Sequence, residues 1–153
     1  MTVQATVPSP SLAIAPIADA DIPDVVALWQ ACGLTRPWND PASDIALARR
    51  GPSSTVLVGR DAGAIVATAM VGHDGHRGWV YYVAVDPSSQ GKGLGRVMMT
   101  AVEDWLRAAG VPKLQLLVRR ENAKAGAFYQ SLGYEESTSV MLAKWLDGRE
   151  ATP

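Results

Sequence analysis

The sequence predicts an α/β domain with a mixed, mostly antiparallel central sheet of six to seven strands and about four flanking helices. Three observations carry this expectation. Apolar runs of strand length alternate with amphipathic stretches of helix length. Two turn signals, Asp61-Ala62-Gly63 and Gly72 to Gly78 (GHDGHRG), separate neighbouring strands closely enough for hairpins. The chain has 153 residues, 48% of them hydrophobic, which suits a single domain with a sizeable core.

Residues 1–11 (MTVQATVPSPS) are rich in Pro, Ser and Thr and read as a disordered tail. The folded domain is expected over 12–147, with a frayed polar tail over 148–153. Leu12 to Ile17 alternates and reads as the first strand. Asp19 or Asp21 can cap a helix reaching about Ala31, with Ile22, Val25, Val26 and Trp29 on one face. Gly33 ends it. After the loop Thr35-Arg36-Pro37-Trp38-Asn39, Asp40 caps a second helix with Pro41 in its first turn, reaching about Arg50.

Thr55 to Gly59 and Ala64 to Val71 read as paired strands. Trp79 to Val85 is apolar throughout and is expected to lie centrally. Gly91 to Ala109 reads as a long amphipathic helix stopped by Gly110 and Pro112. Leu114 to Val118 reads as a buried strand and Asn122 to Leu132 as a helix ended by Gly133. Tyr134 to Glu136 and Val140 to Trp145 suggest a final hairpin.

Charge and composition exclude several classes. The net charge is −1 and no basic stripe marks a nucleic-acid surface. No apolar run is long enough to cross a bilayer. The N-terminus lacks the basic start and apolar stretch of a signal peptide, so a cytoplasmic location is expected. The single cysteine, Cys32, reads as a small buried hydrophobe. His73 and His76 cannot alone build a metal site, so no metal is expected.

The segment carrying most chemistry is Gln90-Gly91-Lys92-Gly93-Leu94-Gly95. It lies between a strand stopped by Asp86-Pro87 and a helix. A helix start offers unpaired N–H groups and the positive end of the macrodipole, and so attracts anions. Glycines let a diphosphate approach the backbone, and Lys92 and Arg96 add positive charge. The G-x-G-x-G spacing does not match the dinucleotide fingerprint, and Gly91-Lys92 is not followed by the Ser or Thr of a Walker loop. Glycines inside a first helical turn weaken it by roughly 1 kcal/mol each against alanine, a cost that an exposed, ligand-binding backbone would explain.

With Val83-Ala84-Val85-Asp86-Pro87 before it and Asn122, Phe128-Tyr129 and Leu132-Gly133-Tyr134 after it, the chain resembles the GCN5-related N-acetyltransferase (GNAT) superfamily over Leu12 to Trp145. Within it, Leu34 to Pro41 (LTRPWNDP), Asp74 to Gly78 and Tyr81-Tyr82 look closest to the YpeA-like bacterial acetyltransferases. The resemblance implies the GNAT fold and direct transfer of acetyl from acetyl-CoA to a primary amine of a small molecule or protein. It also implies site roles. The backbone of Val83, Ala84 and Val85 would pair with the pantetheine arm. Gln90, Gly91, Lys92, Gly93, Leu94, Gly95 and Arg96 would hold the pyrophosphate. Asn122 would hydrogen-bond the cofactor arm, and Tyr129 would protonate the departing thiolate. A homodimer through the last strand follows family habit.

The general base is not marked. The strand KLQLLV offers only Gln115, and Gly78-Trp79-Val80 holds no carboxylate. Asp74 and His76 in the turn, Asp40 and Glu121 remain as candidates; a neutral His76 can act near neutrality. For the acceptor, Arg36, Trp38, Asp40 and Tyr81 are candidate contacts. The rival reading makes Asp40 a helix cap and Trp38 core. The alternation of a strand puts Tyr81 and Tyr82 on opposite faces, so at most one should line the acceptor cleft. Asp40, Asp44 and Asp74 would attract a cationic amine, whereas Arg36, Arg77, Arg119 and Arg120 would bind a substrate carboxylate. A silent acyl-CoA-binding sensor is the alternative function.

Overall fold

A computed structural model describes residues 10–150. The expected tail over residues 1–9 and the last residues, 151–153, lie outside the described residues, while 10–11 and 148–150 carry no helix or strand. One domain was expected over 12–147; by its contacts the chain divides into two compact units, one through Leu116 and one from Leu117.

The first unit contains β1 (Ala13–Pro16), α1 (Ile22–Ala31), α2 (Pro41–Ala48), β2 (Ser54–Asp61), β3 (Ala64–His73), β4 (Gly78–Val85), α3 (Leu94–Ala108) and β5 (Leu114–Gln115). The strands lie in the order β1-β2-β3-β4-β5, antiparallel except for the parallel β4–β5 pair. The sheet is therefore mixed and mostly antiparallel as expected, but among the described residues it has five strands rather than six to seven. Ala62 (φ 49°) and Gly63 (φ 85°) both take left-handed conformations, which matches the twist a tight β2–β3 hairpin needs.

The period of two sorts the side chains of β2. Val56 and Val58 join Ile17, Val25, Leu28, Trp29 and Ile45 in one buried cluster with α1 and α2. The opposite face meets α3: a Cβ at Gly59 would stand 3.0 Å from Met98 Sδ. α3 contributes Leu94, Met98, Val102 and Leu106 from one stripe, and burying each such side chain is worth roughly 1.5–3 kcal/mol.

Three expectations are corrected in this unit. Asp21 stands at the N-cap of α1 without capping it; its carboxylate instead accepts from the Ala18 N–H and pairs with Arg60. The helix at the glycine segment begins at Leu94, not Gly91. Gly91 (φ 79°) and Gly93 (φ 78°) precede it in left-handed conformations, so those two glycines are required by backbone geometry and do not weaken a helix. β5 is two residues long, and β4 is central only at Gly78 and Trp79, where β5 pairs with it.

The second unit contains α4 (Ala123–Ser131). Asn122 caps it, its side-chain oxygen accepting from the Ala125 N–H at 3.1 Å, and Gly133 (φ 93°) follows it. The expected final hairpin is not formed, and with it goes the strand through which a dimer was expected. Ser137 Oγ accepts from the Ser139 N–H, a local bond that competes with a ladder. Leu142 is 92% exposed, so no packed face rewards a strand there.

Candidate active site

The site in the first unit is organised by an irregularity in β4. Between Thr68 and Met70 the β3–β4 register shifts, and Tyr82 takes φ 51°. Left-handed backbone is costly for a bulky residue. Three contacts hold Tyr82 there. Its ring stacks on Trp29, centroids 3.8 Å apart with planes 8° from parallel. Its carbonyl accepts from Thr68 Oγ1 at 3.0 Å, and that hydroxyl accepts from Trp29 Nε1 at 2.8 Å. Its own hydroxyl donates to Asp44 Oδ2 at 2.7 Å. Burial first and the Asp44 carboxylate second push the Tyr82 phenol well above its ordinary range.

The bulge also breaks the alternation expected of β4. Tyr81 and Tyr82 both line a cavity of about 350 Å³, where the sequence expectation allowed one of them. Asn39 and Asp44 face it from the loop before α2 and from α2, Met70 from β3 and Trp79 from β4. Tyr81 is 48% exposed, and burial of the rest raises its phenol.

Beyond Trp79, no described strand pairs with the β5 side of β4. Ala84 is buried in the sheet and paired with Thr68. The Val85 carbonyl accepts from Gln90 Nε2 at 3.2 Å and from Cys32 Sγ at 3.2 Å. That carbonyl ties the strand end to the glycine segment. Cys32 thus stands at the end of α1, partly buried and packed against the core, and burial, then the Asp86 charge, raises its thiol.

The start of α3 has no side-chain cap. Its first N–H groups, from Leu94 to Arg96, have no partner within the helix, and the first intrahelical bond runs from Val97 N–H to the Gly93 carbonyl. Lys92, Gly93, Arg96 and Thr100 line an open cavity of about 460 Å³ beside it. Leu94 turns its side chain into the core, so it can serve an anion only through its N–H. An uncapped fifteen-residue helix, left-handed glycines and two cations together fit a diphosphate.

The remaining candidates are placed elsewhere. Arg36 Nη1 donates to the Gly33 and Thr35 carbonyls at 2.7 and 2.9 Å, closing the end of α1. Trp38 is half-buried. Asp40 caps α2, accepting from the Ala42 N–H and from Ser43 Oγ, and the Ser43 hydroxyl leads in holding its carboxyl low. Asp74 organises the β3–β4 turn, accepting from the N–H groups of Arg77 and His76 at 2.7 and 2.9 Å. Those bonds, the Arg77 one foremost, hold it below the usual carboxylate range, which makes it a poor base. His76 is exposed in the same turn. None of these five lines the cavity beside Tyr82. Asp44 and Asn39 do; the sequence reading noted Asp44 only for its charge and gave Asn39 no role. The available signal for Asp44 was its place one turn beyond the Asp40 cap.

In the second unit, capping of α4 occupies the Asn122 side-chain oxygen and leaves its amide NH₂ as a donor. Tyr129 packs edge-on against Phe128 at 5.0 Å and Tyr134 at 6.0 Å. Burial raises its phenol, so it stays a proton donor through the neutral range.

The profile of the acetyltransferase (GNAT) family matches residues 22–134. The chain belongs to that family. A protein named acetyltransferase from Yersinia enterocolitica is 40% identical over 127 residues, covering 83% of this chain and 90% of its own length. The ribosomal-protein-S18-alanine N-acetyltransferase of Escherichia coli has a similar structure, with a TM-score of 0.71 and 28% identity, covering 83% of this chain and 79% of the other. The structure of AAC(6')-Iy in complex with the bisubstrate analogue CoA-S-monomethyl-acetylneamine matches with a TM-score of 0.75 over 89% of this chain and 99% of the other; at 16% identity it speaks for the fold alone. This GNAT member is an acetyl-CoA-dependent acetyltransferase. Among the described residues, no group of three or more His, Cys, Asp or Glu is placed to hold a metal, and no helix is long and apolar enough to cross a membrane.

Proposed function

We propose that the enzyme acts in the cytoplasm and moves the acetyl group of acetyl-CoA directly onto a primary amine of a small molecule or protein. The observation that carries this reading is the uncapped start of α3 beside the unpaired side of β4. The N–H groups from Gly91 to Arg96 hold the pyrophosphate, with Lys92 and Arg96 offsetting its charge. The backbone of Val83 to Val85 takes the pantetheine arm as an added strand. The Asn122 amide donates to that arm, and Tyr129 gives a proton to the thiolate; these two roles rest on the family motif and on the state of α4 itself.

The amine must be neutral to attack, although a free alkylamine has a pKa of about 10. A water relay removes its proton in this reading, since Asp74, His76 and Asp40 all stand outside the cavity beside Tyr82, with the Asp74 carboxyl held low and Asp40 committed to its cap. An N–H freed by the bulge stabilises the tetrahedral oxyanion. The similar ribosomal-protein-S18-alanine N-acetyltransferase is named for an acceptor of this class, the amine of a protein alanine.

A free-thiol release assay with acetyl-CoA and a panel of amines and peptides tests the reading. Acceptor-dependent thiol release is expected. Tight acetyl-CoA binding without release for any acceptor would leave only a binding module.

A further inference from the structure

The cavity beside the β4 bulge has a composition that narrows the acceptor. Asp44 is the one charged side chain among its lining residues. Trp79, Tyr81 and Tyr82 put aromatic surface around it, and Met70 adds a polarizable thioether. Carboxylate and ring faces together suit an ammonium group, through charge pairing and cation–π attraction. A carboxylate carried beside the amine would meet only like charge. The arginines of the first unit that could offset it are engaged elsewhere: Arg36 with the Gly33 and Thr35 carbonyls, and Arg77 with the His76 carbonyl. Neither lines the cavity.

Asp44 is also held in place. The Tyr82 hydroxyl fixes one carboxylate oxygen, and Tyr82 itself is clamped by the Trp29 ring and the Thr68 hydroxyl. The anion therefore has a set position relative to the bulge.

We propose that Asp44 is the specificity-determining residue of the acceptor site, and that the acceptor is an alkylamine or arylalkylamine with no carboxylate beside its amine. This deepens, and rests on, the amine-acetyltransferase reading above. The ammonium docks on Asp44 while the carbon part lies against Trp79 and the two tyrosines. In the transfer, the amine nitrogen bonds to the thioester carbonyl carbon and the carbon–sulfur bond breaks. Of the ammonium protons, one stays on the amide nitrogen, one ends on the thiol and one passes to solvent.

Paired probes test this: phenethylamine against phenylalanine, and isopentylamine against leucine, which differ only by the carboxylate. Each is measured by calorimetry on the CoA-loaded protein and in the thiol-release assay. The wild type should bind each amine at least about tenfold tighter than its carboxylated partner. Asp44→Asn preserves shape and a Tyr82 acceptor. It should weaken amine binding about 10- to 100-fold, erase the preference within each pair, and act on KM more than kcat. Acetyl-CoA affinity and the thermal midpoint check that the variant is folded. Equal binding within pairs, binding of none of the four probes, or amine binding indifferent to Asp44→Asn overturns the proposal. Asp44-dependent amine binding without thiol release would sink the transferase reading and leave this site standing. Thiol release indifferent to Asp44→Asn would do the reverse.

Discussion

Tyr82 lies flat on Trp29, centroids 3.8 Å apart, and the stack holds a tyrosine at φ 51° within a strand. Trp29 is fully buried and its indole N–H anchors Thr68, which in turn grips the Tyr82 carbonyl. Side-chain packing and hydrogen bonding thus offset the cost of the left-handed backbone. Trp29→Ala should therefore cost about 3–5 kcal/mol of stability. Urea unfolding reads this as a lower midpoint. A loss below about 1 kcal/mol would mean that the bulge is held by other contacts.

Position 93 must be both left-handed and bare. Gly93→Ala strains the backbone by about 1–2 kcal/mol, and its Cβ would stand 3.4 Å from Pro10 Cγ. It should lower acetyl-CoA affinity about tenfold. Gly93→Glu adds bulk and a negative charge at the helix start and should abolish binding. Undiminished affinity of the glutamate variant in calorimetry would remove the pyrophosphate from this loop.

Tyr129→Phe keeps the ring contacts with Phe128 and Tyr134 and deletes only the hydroxyl. As proton donor, Tyr129 should show a kcat loss of about 100-fold or more, with acetyl-CoA binding little changed. Its active form is the protonated phenol, so its contribution is lost as pH rises through its pKa. Burial moves that pKa above the ordinary value, so no falling limb from this group is expected below about pH 10. Unchanged turnover in Tyr129→Phe would take Tyr129 out of the chemistry.

The Asp21 carboxyl is held low by the Ala18 N–H first and Arg60 second. A depressed folded-state pKa stabilises the fold above the unfolded carboxylate value of about 4, and the benefit is lost as pH falls through the folded value. Asp21→Asn should therefore lower the urea midpoint more at pH 7 than at pH 3. An equal or larger gap at pH 3 would show that the charge contributes nothing.

Features set by neighbours in sequence were legible. Asp40 and Asn122 cap helices because a short polar side chain reaches an N–H two or three residues on. Asp61-Ala62-Gly63 forms its turn for reasons contained in those residues. The bulge at Tyr82 was not legible, since nothing local asks a tyrosine for φ 51°; Trp29 and Thr68, far off in sequence, impose it. The cavity it creates, with Asp44 and both tyrosines, was hidden for the same reason. The glycine segment was half legible: its composition announced an exposed backbone, but whether Gly91 and Gly93 lay inside the helix or ahead of it depended on φ. The last hairpin failed because apolar pattern alone does not make a strand without a surface to lie on.

The unpaired stretch of β4 has a consequence for how the molecule behaves at high concentration. A bare sheet edge is a template for another chain, and flat edges recruit one another into aggregates. This edge is short, and the register shift opposite Thr68–Met70 twists it out of plane. The distortion therefore makes this stretch a poor template for a long flat strand from a second molecule. Variants that straighten β4 by relieving Tyr82 of its strain would gain backbone comfort and lose that protection.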